Sequence, residues 1–441
     1  MYLLLRCSVI LLLLACSNLT AKEYNLQEIL RLANENNRQI QLGRSDVKSA
    51  NAEVKDAFSE AFPKIDVDAG YNHNLGENVF FFEVSNPETG ELESGSFKTS
   101  FANEFRMNAS LRQTLFSFEV GYGIQAAKYF KKSTNFNFEA TRRNVLTTVK
   151  IGFYRAILLK EAWEVAMDSE QSGLDNYENI KVKYESGISS EFELLQAEVR
   201  WQNSIPATLS ARQDYELALN DLKFFVGIPI EEEIELTGSF SSFPELPERK
   251  EYQQVLDLRP DYQALAWERK LWRKNVGVQS AGHFPRLDGF FRWDYAAASD
   301  EIRLERENDN YVAGLTLSIP IFSGGSTTAK VQKAKADLEK ADTRLAEAND
   351  NIKVELENLQ LRLKEARERI KATNKAIQSA RRAFEIAETR VENGLSTQVE
   401  LKDSRLALDR AQFNYLVAVF DYLSAFFEWE LATGVATFNE L

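Results

Sequence analysis

Two stretches of this chain are variants of one unit, their later parts about 207 residues apart, so any fold must build the same order of elements twice. AFPKIDVDAGY near residue 61 answers to HFPRLDGFFRWDY near 283. LRQTLFSFEVGYGIQAAK answers to LSIPIFSGGSTTAK, and YESGISSEFELLQAEV to VENGLSTQVELKDSR. Each copy reads as helix, strand, loop, strand, long helix, turn and helix.

The strands constrain the assembly. Ile65, Val67, Ala69 and Tyr71 alternate with Asp66, Asp68 and Asn72, and Phe105, Met107, Ala109 and Leu111 alternate with Arg106, Asn108, Ser110 and Arg112. Copy two repeats the pattern with Leu287, Phe291, Trp293 and Tyr295, then with Tyr311, Ala313, Leu315, Leu317 and Ile319. Period-two segments of this kind suit a half-buried soluble sheet or a barrel with lipid outside and water within. Four strands do not close a barrel, whereas three chains supply about twelve, enough to close around an aqueous lumen. The loops SNPETGELESGS and ASDEIRLEREND carry turn chemistry and charge and read as water-exposed tips.

The rest of the chain is helical. From about Val120 to Tyr184 and from Gly325 to Val391 it has no proline and little glycine, giving two helices on the order of 100 Å each. Shorter helices are expected over about 25–58 with 190–226, and 250–281 with 397–433, each pair stacked end to end to match one long helix. Leu194, Trp201, Thr208, Tyr215 and Leu222 recur every seven residues, as do Leu401, Leu408, Tyr415, Tyr422 and Trp429. In the second long helix the heptad runs through Val331, Leu338, Leu345 and Ile352, steps by four, and resumes at Leu356, Leu363 and Ile370. Ala411, Ala418, Ala425 and Ala432 permit close helix approach. Gly187 and Gly394 follow the long helices where a left-handed cap needs no Cβ, and Pro206 predicts a kink or break in the shorter helix of copy one.

The formal net charge of -13 excludes a nucleic-acid surface, since no basic stripe is available to neutralise phosphates. His73 and His283 are the only histidines, and there is no histidine-cysteine cluster, phosphate loop or nucleophile with a base. The chain therefore reads as a non-enzyme without metal or cofactor. No stretch after the leader offers eighteen consecutive apolar residues. The leader MYLLLRCSVILLLLAC has the layout of a secretory signal. Leu13-Leu14-Ala15-Cys16 resembles a bacterial lipobox, which makes Cys16 the lipid-bearing first residue of the mature protein. Ser17 after it looks like sorting to the outer membrane, and cleavage near Ala21 with Cys16 incidental is the alternative.

Together these signals resemble the TolC-like outer-membrane factor family, here of lipoprotein type, over essentially the whole mature chain. NLQEILRLANENNRQI resembles the family's opening helix, although the usual proline after the paired asparagines is Arg38; SIPIFSGG resembles the strand-to-helix junction and ENGLST the periplasmic tip. The resemblance implies a mainly α fold with membrane β: coiled-coil helices forming an α-barrel, and four strands per chain contributing to a trimeric 12-stranded β-barrel. The expected divisions are a lipoprotein signal peptide at 1–15, a first repeat at 16–226, a linker with part of an equatorial domain at 227–249, a second repeat at 250–434, and a C-terminal tail at 435–441. The implied function is a passive conduit of a tripartite efflux pump or type I secretion system, lipid-anchored in the outer membrane and extending into the periplasm. Its expected partners are two further copies, a periplasmic adaptor, an inner-membrane RND or ABC transporter and outer-membrane lipid. The competing reading is a lipid-anchored coiled-coil tether of the envelope.

The resemblance also places carboxylates at the periplasmic aperture. Glu400 and Asp403 match the family's positions, and Glu193 corresponds to Glu400 in copy one. The local alternative is capping: Ser190 with Glu193, and Thr397 with Glu400, stand in capping-box spacing. Val391 and Ser396 occupy the positions where the family's closed state uses a tyrosine and an arginine.

Overall fold

The computed structural model describes residues 22–435 apart from 86, 88–89, 91 and 241–242. The signal peptide at 1–15, Cys16 and the tail beyond 435 lie outside the described residues. In chain order the elements are β1 (Lys22–Tyr24), α1 (Leu26–Asn36), α2 (Arg38–Ser59), β2 (Lys64–His73), β3 (Val79–Ser85), β4 (Leu92–Lys98), β5 (Asn103–Phe116), α3 (Phe118–Glu185), α4 (Glu191–Val226) and β6 (Ile234–Leu236). They continue as α5 (Tyr252–Leu258), α6 (Pro260–Ser280), β7 (Arg286–Ser299), β8 (Asn308–Ser318), α7 (Ser326–Glu392) and α8 (Gln398–Ala432).

Two spatial units cut across the two sequence repeats. Among the described residues one takes 22–47, Thr134–Leu265 and 345–435; the other takes Lys48–Ser133 and Ala266–Arg344. Each unit draws on both copies, so neither repeat is a domain by itself.

The first unit is helical and holds the apolar core. The expected heptads face inward: Tyr177 stacks on Trp201, Trp163 on Tyr215, and Leu222, Phe153, Val419 and Tyr422 are fully buried. Ala418, Ala425 and Ala432 are buried to the backbone, where a larger side chain would push α8 off its neighbours. The linker packs here too. Its β6 pairs in parallel with β1, and Tyr422 donates its hydroxyl to Pro244 O at 2.9 Å. A parallel pair of three-residue strands more than 200 residues apart in sequence has no local signal.

Three helix expectations need correction. The helix expected over 25–58 is broken at Asn37, and the one over 250–281 at Arg259. Both breaks receive the end of a returning helix. Asn37 caps α2 through its Oδ1, which accepts from Gln39 N and Ile40 N, while its Nδ2 donates to Phe225 O at the end of α4. Arg259 donates to Ala432 O at the end of α8 and to Asp261 and Glu355. A polar residue at each break thus holds the end of a returning helix. Third, α4 runs through Pro206 without a break. The lost N–H removes one helix bond, but Trp201, Thr208 and Tyr215 dock on α3 on both sides of it, Thr208 by donating to Ala166 O at 3.2 Å.

The second unit carries an antiparallel sheet of order β2-β5-β7-β8, the four strands expected. A correction applies to the first loop. Part of SNPETGELESGS is strand, because β3 and β4 form an antiparallel hairpin with Phe80 opposite Phe97. The loop between β7 and β8 contains no strand.

Candidate functional site

Two features of the fold are placed to act on something other than the chain itself: the two-faced sheet and the pair of helix tips.

In an antiparallel pair, residues directly opposite share a face. The register therefore sorts the sheet into rows. Val67, Ala109, Trp293 and Tyr311 form one row, and Ile65, Leu111, Phe291 and Ala313 the next. On the opposite face Asp68, Asn108, Asp294 and Asn310 form a row, as do Asp66, Ser110, Arg292 and Val312. The alternation seen in four separate segments thus adds into one continuous apolar surface and one largely polar surface. The polar side is laced with exposed ion pairs, Arg292 with Asp294 at 2.7 Å and Arg112 with Asp66 at 3.4 Å. The apolar side is open: Val67 is 65% exposed and Leu315 70%. Among the described residues the outer edges of β2 and β8 have no neighbour in the sheet, so two rows of backbone N–H and C=O groups are left unpaired there. Among the described residues no helix is long and apolar enough to cross a membrane.

The tips repeat one another in backbone. After α3, Gly187 takes φ +74° and Ile188 N donates to Lys183 O; after α7, Gly394 takes φ +69° and Leu395 N donates to Arg390 O. Both distances are 2.8 Å. These are left-handed caps that a β-carbon would strain.

Their carboxylates differ. At the first tip Ser190 accepts from Glu193 N and Glu193 accepts from Ser190 N at 2.9 Å, a complete capping box. That backbone bond holds the Glu193 carboxyl below its ordinary pKa. At the second tip Thr397 accepts from Glu400 N at 3.3 Å, but the Glu400 carboxylate turns to the Ser396 hydroxyl, so the box is one-sided. Asp403, one turn on, is exposed and lines a groove of about 460 Å³ with Phe192, Leu195, Val199, Arg200 and Val399. The structure therefore ties Glu193 and Glu400 into local hydrogen bonds and leaves Asp403 outside them.

Further charges lie on the helices that form this groove, at positions no motif marks. Arg405 pairs with Asp409 at 2.8 Å, Asp409 accepts from Ser169 Oγ at 2.8 Å, and the Arg405 guanidinium lies over Phe384. Burial, aided by repulsion from Arg405, lowers the Arg200 pKa from its ordinary value, and Asp409 partly opposes this. Arg405 and Asp409, four apart, form a helix-face pair visible in principle from sequence; Ser169 and Arg200 become legible only once the helices pack. His73 donates from Nδ1 to Asn103 Oδ1 at 2.9 Å, and no cluster of three or more His, Cys, Asp or Glu residues suited to a metal occurs among the described residues.

Comparison with known proteins gives relatives and a family. The chain is 23% identical over 330 residues to Outer membrane protein TolC of Vibrio cholerae, covering 70% of this chain and 68% of that protein. It is 23% identical over 229 residues to Alkaline protease secretion protein AprF of Pseudomonas aeruginosa, covering 51% of this chain and 48% of that one. The match thus spans about half the length of that second relative. Among solved structures the Campylobacter jejuni CmeC outer membrane channel is similar with a TM-score of 0.78 at 20% identity, over 93% of this chain and 85% of that one. VceC of Vibrio cholerae is similar with a TM-score of 0.74 at 18% identity, over 93% and 96%. These likenesses establish the fold as TolC-like, mainly helical with a four-stranded membrane sheet in each chain. The family model described as Outer membrane efflux protein matches residues 29–227 and 252–434, through both repeats. The chain therefore belongs to the outer membrane efflux protein family, a family of channels and not of enzymes.

Proposed function

We propose that three copies join edge to edge, β2 of each to β8 of the next, into a 12-stranded barrel. The apolar rows face lipid and the polar rows line a water-filled lumen. The chain is then a passive conduit of a tripartite efflux pump or type I secretion system, open from the outer membrane to the periplasm. One observation carries this: a sheet with one apolar and one polar face, unpaired at both edges, in a chain too poor in strands to close it. A coiled-coil tether would have no use for such a surface. The names of the relatives, one an outer membrane protein and one a protease secretion protein, accord with export.

The further parts of this reading are a lipid on Cys16, a periplasmic adaptor at the tips and an RND or ABC transporter in the inner membrane that supplies the energy. Of the three aperture candidates, Asp403 is the one to bias entry, because Glu193 and Glu400 are engaged in their own turns. Three copies place three such carboxylates around one opening.

Reconstitution into a planar bilayer tests the conduit. Stepwise conductance from a trimer that resists dodecyl sulfate until heated is the expected result. A monomeric, water-soluble chain without conductance ends the proposal. The mass of the mature N-terminal peptide tests the anchor: acyl chains on Cys16 are expected, and an unmodified N-terminus near residue 22 rules the anchor out.

A further inference from the structure

The chain is acidic overall, yet one part of the sheet-bearing unit is not. Residues 118–133, 266–280 and 326–344, where α3, α6 and α7 adjoin the strands, hold twelve Lys and Arg against five Asp and Glu. Three of those cations are neutralised locally, Arg269 with Asp342, Lys340 with Asp337 and Arg344 with Glu268. Nine remain against Glu119 and Glu339.

Six of the nine lie on α3 and α6: Lys128, Lys131, Lys132, Lys270, Arg273 and Lys274. Among the described residues none of them pairs with a carboxylate. Several rest on aromatic rings instead. Trp267 has Lys270 on it at 3.7 Å and Lys132 at 4.1 Å, Phe58 carries Lys128 at 5.1 Å, and Tyr122 carries Lys274 at 5.7 Å. A ring face holds an ammonium without discharging it. Lys330, Lys333 and Lys335, at the start of α7, are exposed and likewise make no ion pair among the described residues.

A second observation gives the level of these charges. Where strands give way to helices the surface is apolar: Phe116 packs on Phe118 and Phe118 on Phe284, while Ile321 is 95% exposed and Phe322 89%. Exposed rings and aliphatic groups at the end of a membrane barrel mark the boundary between hydrocarbon and headgroups. Lys330 stands about 6 Å along α7 from its start, Lys274 about 9 Å from the end of α6, and Lys132 about 21 Å along α3. A lysine stem adds further reach toward an interface. The charges thus begin at headgroup depth and continue into the adjoining water.

We infer that this basic collar binds the anionic phospholipid headgroups of the periplasmic leaflet, seating the barrel at a fixed depth. The inference rests on the barrel proposed above. Cationic segments beside a membrane-embedded element attract anionic lipid over about one Debye length, so the contribution falls with distance from the interface. Arg273, Lys274, Lys330 and Lys333, within about 10 Å of the helix ends that adjoin the strands, are the near set, and Lys131 and Lys132, about 20 Å away, the far set.

The test uses the full-length purified protein in mixed vesicles of phosphatidylglycerol and phosphatidylcholine, extracted in polymer nanodiscs, with retained lipid counted by mass spectrometry. Wild type should be enriched in phosphatidylglycerol. Arg273→Gln, Lys274→Gln, Lys330→Gln and Lys333→Gln together should reduce the enrichment by about tenfold, and Lys131→Gln with Lys132→Gln by no more than about threefold. Raised salt should mimic the near-set variant. Conductance is measured on the same samples. A conducting wild type with no lipid preference, or near and far sets with equal effects, overturns the inference while leaving the barrel intact. So does a near-set variant that keeps its lipid but loses binding to isolated peptidoglycan, or one whose trimer falls apart in detergent without lipid, which would assign the cations to a second copy. A wild type that forms no pore overturns both readings.

Discussion

The two units of this chain treat their apolar residues in opposite ways. In the helical unit Tyr422, Phe153, Leu222 and Val419 are covered by the chain's own helices and linker. In the sheet-bearing unit Ile65, Val67, Tyr311 and Leu315 stand open along one face, in register across four strands. The first unit completes its core within one polypeptide, and the second does not. The difference separates what a single copy stabilises by itself from what it leaves for lipid and for neighbouring copies.

The harshest way to break that contrast is to open a cavity in the unit that closes on itself. Tyr422→Ala removes a fully buried ring and leaves Pro244 O without its donor. The expected cost is about 3–5 kcal/mol, read as a lowered denaturant midpoint of the helical signal in purified protein. A cost under 1 kcal/mol would mean that the linker is not part of the core. The mirror experiment is on the sheet. Ala313→Arg, at the centre of β8 on the apolar face, should cost about 2–4 kcal/mol in a bilayer and leave the helical unit's unfolding unchanged. Asn310→Arg, on the polar face of the same strand, should be tolerated. Equal loss of conductance in both variants would remove the distinction between the faces.

How much of this was legible in the sequence follows the same division. Period-two alternation and heptads are local, and they placed the four main strands, the long helices and both glycine turns. The break at Asn37 was not legible because it depends on the arriving end of α4, and Arg38 stands where the family usually has a proline; the one at Arg259 carried a local signal, Pro260 directly after it, which extends the preceding residue and opens α6. At Pro206 the helix does not break, and contacts to α3 lie on either side of the one missing helix bond. The β3–β4 hairpin was hidden by the turn chemistry that joins its strands, and β1–β6 by sequence separation. At the tips, capping-box spacing and the family resemblance left two roles open for Glu193 and Glu400; the hydrogen bonds tie both to their own turns and leave Asp403 outside them.

Those tips sharpen the comparison on a smaller scale, inside the unit that otherwise completes itself. Ser190→Ala deletes half of a reciprocal box and should cost about 1 kcal/mol locally, while Thr397→Ala, losing a single 3.3 Å bond, should cost less. Hydrogen exchange at 183–193 and 390–400 reads both, and a larger effect at the second tip would refute the assignment. The same site predicts a pH dependence. Glu193 has its pKa depressed in the folded state, so its contribution is complete above the unfolded value of about 4.3 and is lost as pH falls through the folded one. The first tip should therefore loosen as pH falls through that range; Glu193→Gln should abolish the dependence, and Ser190→Ala, which keeps the backbone N–H, should retain most of it.

Asp403 gives the smallest energetic effect and the most functional one. It accepts no hydrogen bond that holds its helix start, and it is exposed, so Asp403→Asn should change stability by no more than about 0.5 kcal/mol. If its three copies ring the aperture, the same change removes three charges from a narrow passage. Cation preference in the bilayer should then fall by about twofold in dilute salt, and hardly at all at 1 M, where screening shortens the reach of each charge to about 3 Å. Glu193→Gln, at the first tip, should loosen its own turn with a smaller change in selectivity, because its carboxylate is bound to Ser190. A preference insensitive to Asp403 but sensitive to Glu193 would exchange their roles, and with them the view that a carboxylate left out of the fold is the one available to the lumen.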